Sequence, residues 1–457
     1  MEFRNLTPFD ALCYAALAPD DQEHTVVAMK VGYRLAPDPD APGRLLPCVL
    51  DEAPIPLCTA DEFYGEPGES SVREESDLAP YKPRCDVLLR GHAYAPQSRP
   101  QAQWDSRLRV SRRLPPVPPP QIEPPQGLAP NMPPSLEQLQ RWKSRLDEAR
   151  RAHAALPTHE VWLDKTLRVS GPRRFRRNRL RRGWHTGEAD PVAGVPLRWE
   201  NAWGGRSRVF NPQHVANAQA PAWLLDEVCF SNPLGRGWFD ERQFEQAGAG
   251  EPDSPDGQWA PQFEAVDAPI VGPVVVRHPE PPLDAWQMAA EAARYGMAPA
   301  GFGALGRAWA PRLALAGSYD ADWLQRRWPG LPQDFDFGYW NAAPRDQQTP
   351  HLPPQARIEL WNLFDPAASG DDGRAWFDLP GHRPFVLLRL HDGALLPLPL
   401  LTDTVLIDTD AQLMTLTHRV SLPAGLALRA LEARFESDPA APLLRWPKAT
   451  AGVFDGR

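Results

Sequence analysis

Hydrophobic and polar residues alternate through HTVVAMKVGYRL, residues 24–35. Val27, Met29, Val31, Tyr33 and Leu35 fall on one side, and Ala28, Lys30, Gly32 and Arg34 on the other. A period of two over this length predicts a half-buried strand. CDVLLRGHAYAP (85–96) and SRLRVS (106–111) carry further strand signals, so residues 1–112 read as one β unit. The pattern then breaks at LPPVPPPQIEPPQGLAPNMPP (114–134), which predicts an extended, semi-rigid spacer. In SLEQLQRWKSRLDEARRAHAAL the period changes. Leu136, Leu139, Trp142, Leu146 and Ala149 recur at helical spacing, Ser135 and Gln138 form a capping-box pair, and Pro157 stops the run. The apolar stripe of this helix predicts core packing. The proline tether keeps open the alternative of a partner-docking face.

Strand signals resume at EVWLDKTLRVSG (160–171), a weak echo of QWDSRLRVS (103–111). Beyond it, Gly-, Pro- and Asn-rich loops with aromatic anchors alternate with short strands. LDAWQMAAEAARYG (283–296) and DADWLQRRWPG (320–330) predict short helices. Six strand-like runs in 356–435 predict a sandwich or a curled antiparallel sheet. The expected fold is mainly β with a few helices, in antiparallel sandwich-like units with proline-rich connections. Its expected segments are 1–112, 113–156, 157–350 and 351–457.

Composition sharpens this picture in three ways. Fifty-five prolines among 457 residues is about twice the usual ~5%, which favours short strands joined by stiff loops. The formal net charge of −9 gives no global pull toward nucleic acid or an anionic membrane. Seventeen tryptophans imply either burial with a satisfied N–H or an interface, burial being favoured. The five cysteines, Cys13, Cys48, Cys58, Cys85 and Cys229, show no CxxC spacing. They read as small buried hydrophobes in a reducing compartment rather than as disulfides or zinc ligands. With no signal-like apolar region and no run approaching ~20 apolar residues, the expected location is the cytoplasm.

The common catalytic devices are missing: no GxSxG, Walker A, HExxH or strand-linked GxGxxG occurs. DFDFGYWN (334–341) resembles the start of a calcium loop but lacks later ligands, so it reads as a turn. No metal and no cofactor are expected. Two charged features remain. Nine bases lie between Lys165 and Arg182, and within that run Arg173, Arg174, Arg176, Arg177 and Arg179, with Phe175 and Trp184, form a candidate patch for an acidic partner. A solvated strand-loop or a set of internal ion pairs is the competing reading of the same residues. In ESDLAPYKPRCDVLLRGHAYAP (75–96), Asp77 and Asp86 bracket Lys82, and prolines 80 and 83 stiffen the segment. These three residues could serve as a general acid/base set, but no nucleophile or polarising group is near in sequence. A structural polar motif that binds backbone groups is the favoured reading.

The segments ADEFYGEP, SSVREESDLAPYKPRCDVLLRGHAYAP, LRVSGPR, PLRWENAWGG, NPLGRGW, PAGFGALGRAWAPR, DFDFGYWNAAPRDQQ and DTVLIDTD occur in this order. Together they resemble the bacterial domain-of-unknown-function family 2169, over nearly the whole chain. The resemblance implies a cytoplasmic, non-enzymatic adaptor or chaperone associated with type VI secretion. Such a protein would bind a secreted effector and a spike or spike-tip protein, with no nucleic-acid or membrane partner. The spacer and helix at 114–156 look longer than the family's usual link. Two other readings compete: an enzyme with a β-scaffold cleft acting on carbohydrate or peptide, and a structural component of the secretion particle.

Overall fold

The computed structural model describes residues 1–126, 133–178, 183–210, 219, 223–241, 256–276 and 298–444. In it the alternating segment 24–35 lies inside the long strand Glu23–Pro37. This strand is second from one edge of a seven-stranded sheet. The order is Asp10–Leu17, Glu23–Pro37, Leu413–Pro423, Leu401–Asp408, Cys85–Arg90 and Gln348–Thr349, with Leu45–Val49 paired to the far half of Glu23–Pro37. Most pairs are antiparallel, but Leu401–Asp408 runs parallel to Cys85–Arg90. Contrary to the half-buried expectation, every residue from Val26 to Tyr33 is buried. The polar side is covered too, by chain from residues 55–82 and 298–350. Gly32 makes room for that cover, because a Cβ there would stand 2.7 Å from Ile55.

A five-stranded sheet has the order Phe263–Ala265, His159–Ser170, Gln103–Arg113, Ala356–Trp361 and Arg374–Asp378. The two echo segments are antiparallel neighbours in it, with Trp104 opposite Val169. Cross-strand pairs Arg107–Asp164 (Nε–Oδ1 2.6 Å) and Arg168–Asp105 (3.1 Å) fix their register. A four-stranded sheet, Glu2–Asn5, Leu428–Glu436, Arg383–Leu390 and Leu395–Pro399, completes the main body. Inward residues of all three sheets, among them Met29, Val87, Leu108, Val169, Ile358 and Val386, form one contiguous core. The fold is mainly β. Segments 1–112 and 351–457 contribute strands to the same sheets, because strand 23–37 pairs with 413–423 and Glu2–Asn5 pairs with Leu428–Glu436.

Several of the described tryptophans are buried or capped. Trp199 is fully buried. Trp162, Trp361 and Trp376 are half-buried and roofed by arginines: Arg112 at 5.5 Å, Arg107 at 4.9 Å and Arg357 at 4.2 Å from the ring centres.

The predicted helix forms over Leu136–Ala154 with the expected capping box, but none of its residues is buried. Its stripe packs on the proline-rich segment instead of the core. Trp142 Nε1 donates to the Ile122 carbonyl (3.0 Å), and His153 Nε2 lies 2.8 Å from the Val117 carbonyl. The spacing is self-consistent. Five residues of extended polyproline span about 15 Å, and eleven helical residues span about 16 Å. The two segments therefore run antiparallel as an arm. It leaves the sheet between neighbouring strands Gln103–Arg113 and His159–Ser170, and its base is closed by Leu114 N donating to Thr158 O (2.9 Å). A tight turn would suffice to join those strands, so the arm is an excursion with no place in the core.

The expected helix at 320–330 forms as Ala321–Arg326, capped by Asp320. The one at 283–296 lies outside the described residues. Among the described residues, no helix is long and apolar enough to cross a membrane.

Candidate functional site

The side of the seven-stranded sheet turned away from the core carries a layer of buried charge. Strand alternation places Lys30, Asp86, Arg90, Thr404, Asp408, Thr417 and Arg419 there, because Met29, Val87, Leu89, Val405 and Leu416 take the core side. The loop before strand Cys85–Arg90 lies across this layer. Within it, Asp77 and Asp86 do not share Lys82. Lys82 Nζ donates to Asp86 Oδ2 (2.9 Å) and Thr404 Oγ1 (2.9 Å). Asp77 is bound by Lys30 Nζ, the Cys58 amide and Thr417 Oγ1, each at 2.8 Å. The two halves are joined through Asp403 and Arg419. Thr404 donates to Asp403 Oδ1 (3.0 Å), Arg419 Nε donates to Asp403 Oδ2 (2.6 Å), and Arg419 Nη1 donates to the carbonyls of Asp77 and Ala79.

Several of the motifs quoted from the sequence converge on this layer as its cover. DFDFGYWNAAPRDQQ folds into the short 3₁₀ helix Phe337–Trp340, capped by Asp336 through the Gly338 amide (2.7 Å). The next three residues then bind Asp86. Asn341 Nδ2 (3.0 Å) and the amides of Ala342 (2.9 Å) and Ala343 (3.2 Å) all donate to its carboxylate. With Lys82, the four lone-pair sites of Asp86 are filled. Gln347 ties the same segment down by donating to Val87 O (2.6 Å) and Phe302 O (2.7 Å). From PAGFGALGRAWAPR, Arg307 and Arg312 reach Glu75 at 2.8 and 2.7 Å. From PLRWENAWGG, Trp199 Nε1 donates to Ala304 O (2.7 Å), and Glu200 accepts from the Ser71 amide (2.9 Å) and hydroxyl.

Neither lysine of this layer is tuned as a general base. Burial pulls the Lys82 ammonium down, but Asp86, Asp403 and Glu75 outweigh it and hold the group above its ordinary value. Lys30 behaves the same way beside Asp77 and Glu74. A general base needs the opposite shift. The cavity under the cover measures about 30 Å³, room for a water or two. Among the described residues, no group of three or more His, Cys, Asp or Glu stands positioned to hold a metal ion. Lys30, Asp403, Arg307, Arg312 and Arg419 belong to the network but were not singled out from the sequence. Lys30 carried one signal, a charge in the middle of a long β alternation.

The arginine run is divided by strand alternation. Arg173 is buried, its Nη2 3.1 Å from Glu264 Oε2 and its Nε 3.3 Å from Pro261 O. Phe175 is fully buried in a second core with Trp203, Trp238 and Phe239. These two residues therefore hold the fold and are not available to a partner. Arg174 is half-buried, stacked 3.4 Å over the Trp259 ring. Arg176 and Arg177 are exposed, and Arg177 lies 5.9 Å from the Trp184 ring. Arg179 lies outside the described residues.

A model of the family described as "Uncharacterized protein conserved in bacteria (DUF2169)" matches residues 20–116 and 141–419. The unmatched interval between the two blocks covers most of the proline-rich strand of the arm and the first turn of its helix. No curated protein and no solved structure was found to match the chain. The match covers most of the chain, which belongs to this family.

Proposed function

We propose that this member of the DUF2169 family is a non-enzymatic adaptor or chaperone that holds a type VI secretion effector and hands it to the spike complex. The secretion context rests on the family resemblance of the sequence motifs. The adaptor reading rests on the molecule's own architecture, and one observation carries it: the arm of helix Leu136–Ala154 and its polyproline backing contributes nothing to the core. An arm with no buried residue among its described positions is a cost to a folded chain unless it is used in contact with something else. The main body supports such use. Its charged layer is saturated and serves as bracing, and its surface presents arginines and tryptophans, the residue types that anchor protein interfaces.

The reading is tested in the native strain. Deleting the gene is expected to lower the steady-state level and the secretion of one effector, with the tagged protein recovering that effector and a spike component. Unchanged effector levels and secretion in the deletion strain would discard it.

A further inference from the structure

A second feature of the surface lies apart from both the arm and the charged layer. A cleft of about 380 Å³ opens where the loop pairs Gly204–Gly205 and Gly235–Gly237 meet the turn at Gly257. Glycine is required in this floor. At Gly204 (φ 142°) a Cβ would lie 2.1 Å from Asn232 O, and at Gly205 (φ 116°) 2.5 Å from Gly235 O. The walls are Arg174, Arg206, Arg236, Trp238, Gln258 and Trp259, and among the described residues no aspartate or glutamate lines the cleft.

Each guanidinium is positioned by neutral acceptors. Arg174 stacks on Trp259 and donates to the Gly257 carbonyl. Arg236 Nε donates to Glu200 O (2.7 Å), and its Nη2 to Asn201 Oδ1 (3.1 Å). Arg206 Nη2 reaches Gly68 O at 3.3 Å. The nearby Glu200 carboxylate is occupied by Ser71. Burial accordingly pulls Arg236 below its ordinary value despite the Glu200 charge. In most of this protein an arginine that is half-buried or deeper meets a carboxylate, as Arg90, Arg312, Arg327 and Arg419 do. Here the half-buried Arg174 and Arg236 are held by neutral acceptors with no described carboxylate in ion-pair contact, and the exposed Arg206 joins them at the cleft wall.

We propose that this cleft binds the carboxylates of an acidic, extended peptide segment, with Arg174, Arg206 and Arg236 as its anchors. Guanidinium forks pair bidentately with carboxylates. The three arginines are carried by three separate chain segments and donate to different carbonyls. Trp259, 41% exposed, supplies a flat apolar wall beside the charges. The assignment rests on the adaptor reading, since it names a segment of the held polypeptide.

The test uses the full-length protein and a fluorescein-labelled hexapeptide of alternating Asp and Glu, read by anisotropy. Controls are its Asn/Gln counterpart, a C-terminally amidated form, and inorganic phosphate as competitor. The acidic peptide is expected to bind, the neutral one not, and Arg206→Gln to weaken binding about tenfold, or roughly 1.4 kcal/mol. Arg206 is exposed, so this variant keeps the fold if Arg236→Gln does not. Equal retention by the amidated peptide assigns side-chain carboxylates, and loss on amidation assigns the chain terminus; both support the cleft. Equal binding of acidic and neutral peptides, indifference to Arg206→Gln, or displacement by phosphate at concentrations below those of peptide would overturn it. A protein that stabilises an effector in cells but ignores the peptide sinks the cleft alone. Peptide binding with no effect on any effector sinks the adaptor reading.

Discussion

Lys30 Nζ stands 2.8 Å from Asp77 Oδ2, and Thr417, directly opposite Lys30 on the neighbouring strand, donates to Asp77 Oδ1 at 2.8 Å. One carboxylate from the 75–96 loop thus clamps two central strands that come from opposite ends of the chain. Removing Asp77 leaves Lys30 to Glu74 alone and takes the acceptor from the buried Cys58 amide and Thr417 hydroxyl, at about 1–3 kcal/mol for each unsatisfied group and about 3–5 kcal/mol together. Asp77→Ala is expected to lower stability by that order in urea denaturation, and Asp77→Asn by about 1–3 kcal/mol. A catalytic Asp77 would instead give an Asn variant with an unchanged melting temperature.

The arm should be separable from the body. Its base is already closed by the bond between Leu114 and Thr158, and none of its helix is buried. Replacing residues 116–156 with a short Gly-Asn turn is expected to leave the melting temperature of the body within about 2 °C, since away from core, caps and charge networks changes are small. Effector co-purification is expected to fall. A collapse of the melting temperature would place the arm in the core energetics.

Within the arm, Ser135 and Gln138 satisfy each other's backbone amides, at 3.2 and 2.8 Å. Ser135→Ala is expected to cost about 1 kcal/mol locally. The effect should appear as faster hydrogen exchange across the first helical turn, with exchange in the sheets unchanged.

The arginine run predicts two opposite phenotypes. Arg173 is buried against Glu264, so Arg173→Glu is expected to destabilise the protein by several kcal/mol, on the order of other broken buried pairs. Arg176→Glu with Arg177→Glu is expected to melt normally, because both residues are exposed. The double variant should bind effector more weakly, with a shallower salt dependence. Equal effector binding would remove these two residues from the interface.

Acid should weaken the fold through His418. Burial lowers its pKa from 6.5 to about 3; Thr402 Oγ1 lies 3.1 Å from its Nδ1. Below about pH 6.5 the unfolded chain takes up a proton that the folded chain refuses. Stability therefore falls as pH drops from 6.5 toward 3, by an amount on the order of a few kcal/mol. His418→Gln is expected to flatten the limb between pH 6.5 and 4 in pH-dependent urea titrations. An unchanged limb would show that other groups set it.

Local pattern was enough to read several parts of this molecule. The alternation in 24–35, the capped helix at 136–154, the cap of Ala321–Arg326 and the turn in DFDFGYWN all depend on neighbours a few residues apart, and sequence displays those directly. The echo between 103–111 and 160–171 marked two strands, though only the fold made them partners. Both Asp77 and Asp86 were visible as charged positions at a strand entry. Lys82, the base of Asp86, lies in the same stretch, but the partners of Asp77 were not visible, because Lys30 and Thr417 reach it across 47 and 340 residues of chain.

Local pattern thus specified a repertoire: β-rich segments, a proline-braced helix and charges that need partners. Tertiary structure alone decided which side of each strand faces water, because a second cover over Lys30 cannot be inferred from a period of two. It also decided that the helix packs on its own proline strand, and that Arg173 and Phe175 turn inward while Arg174 and Arg176 do not. Those outcomes depend on long-range pairing of strands from opposite chain ends, where burial and charge are settled jointly and no local pattern carries the information.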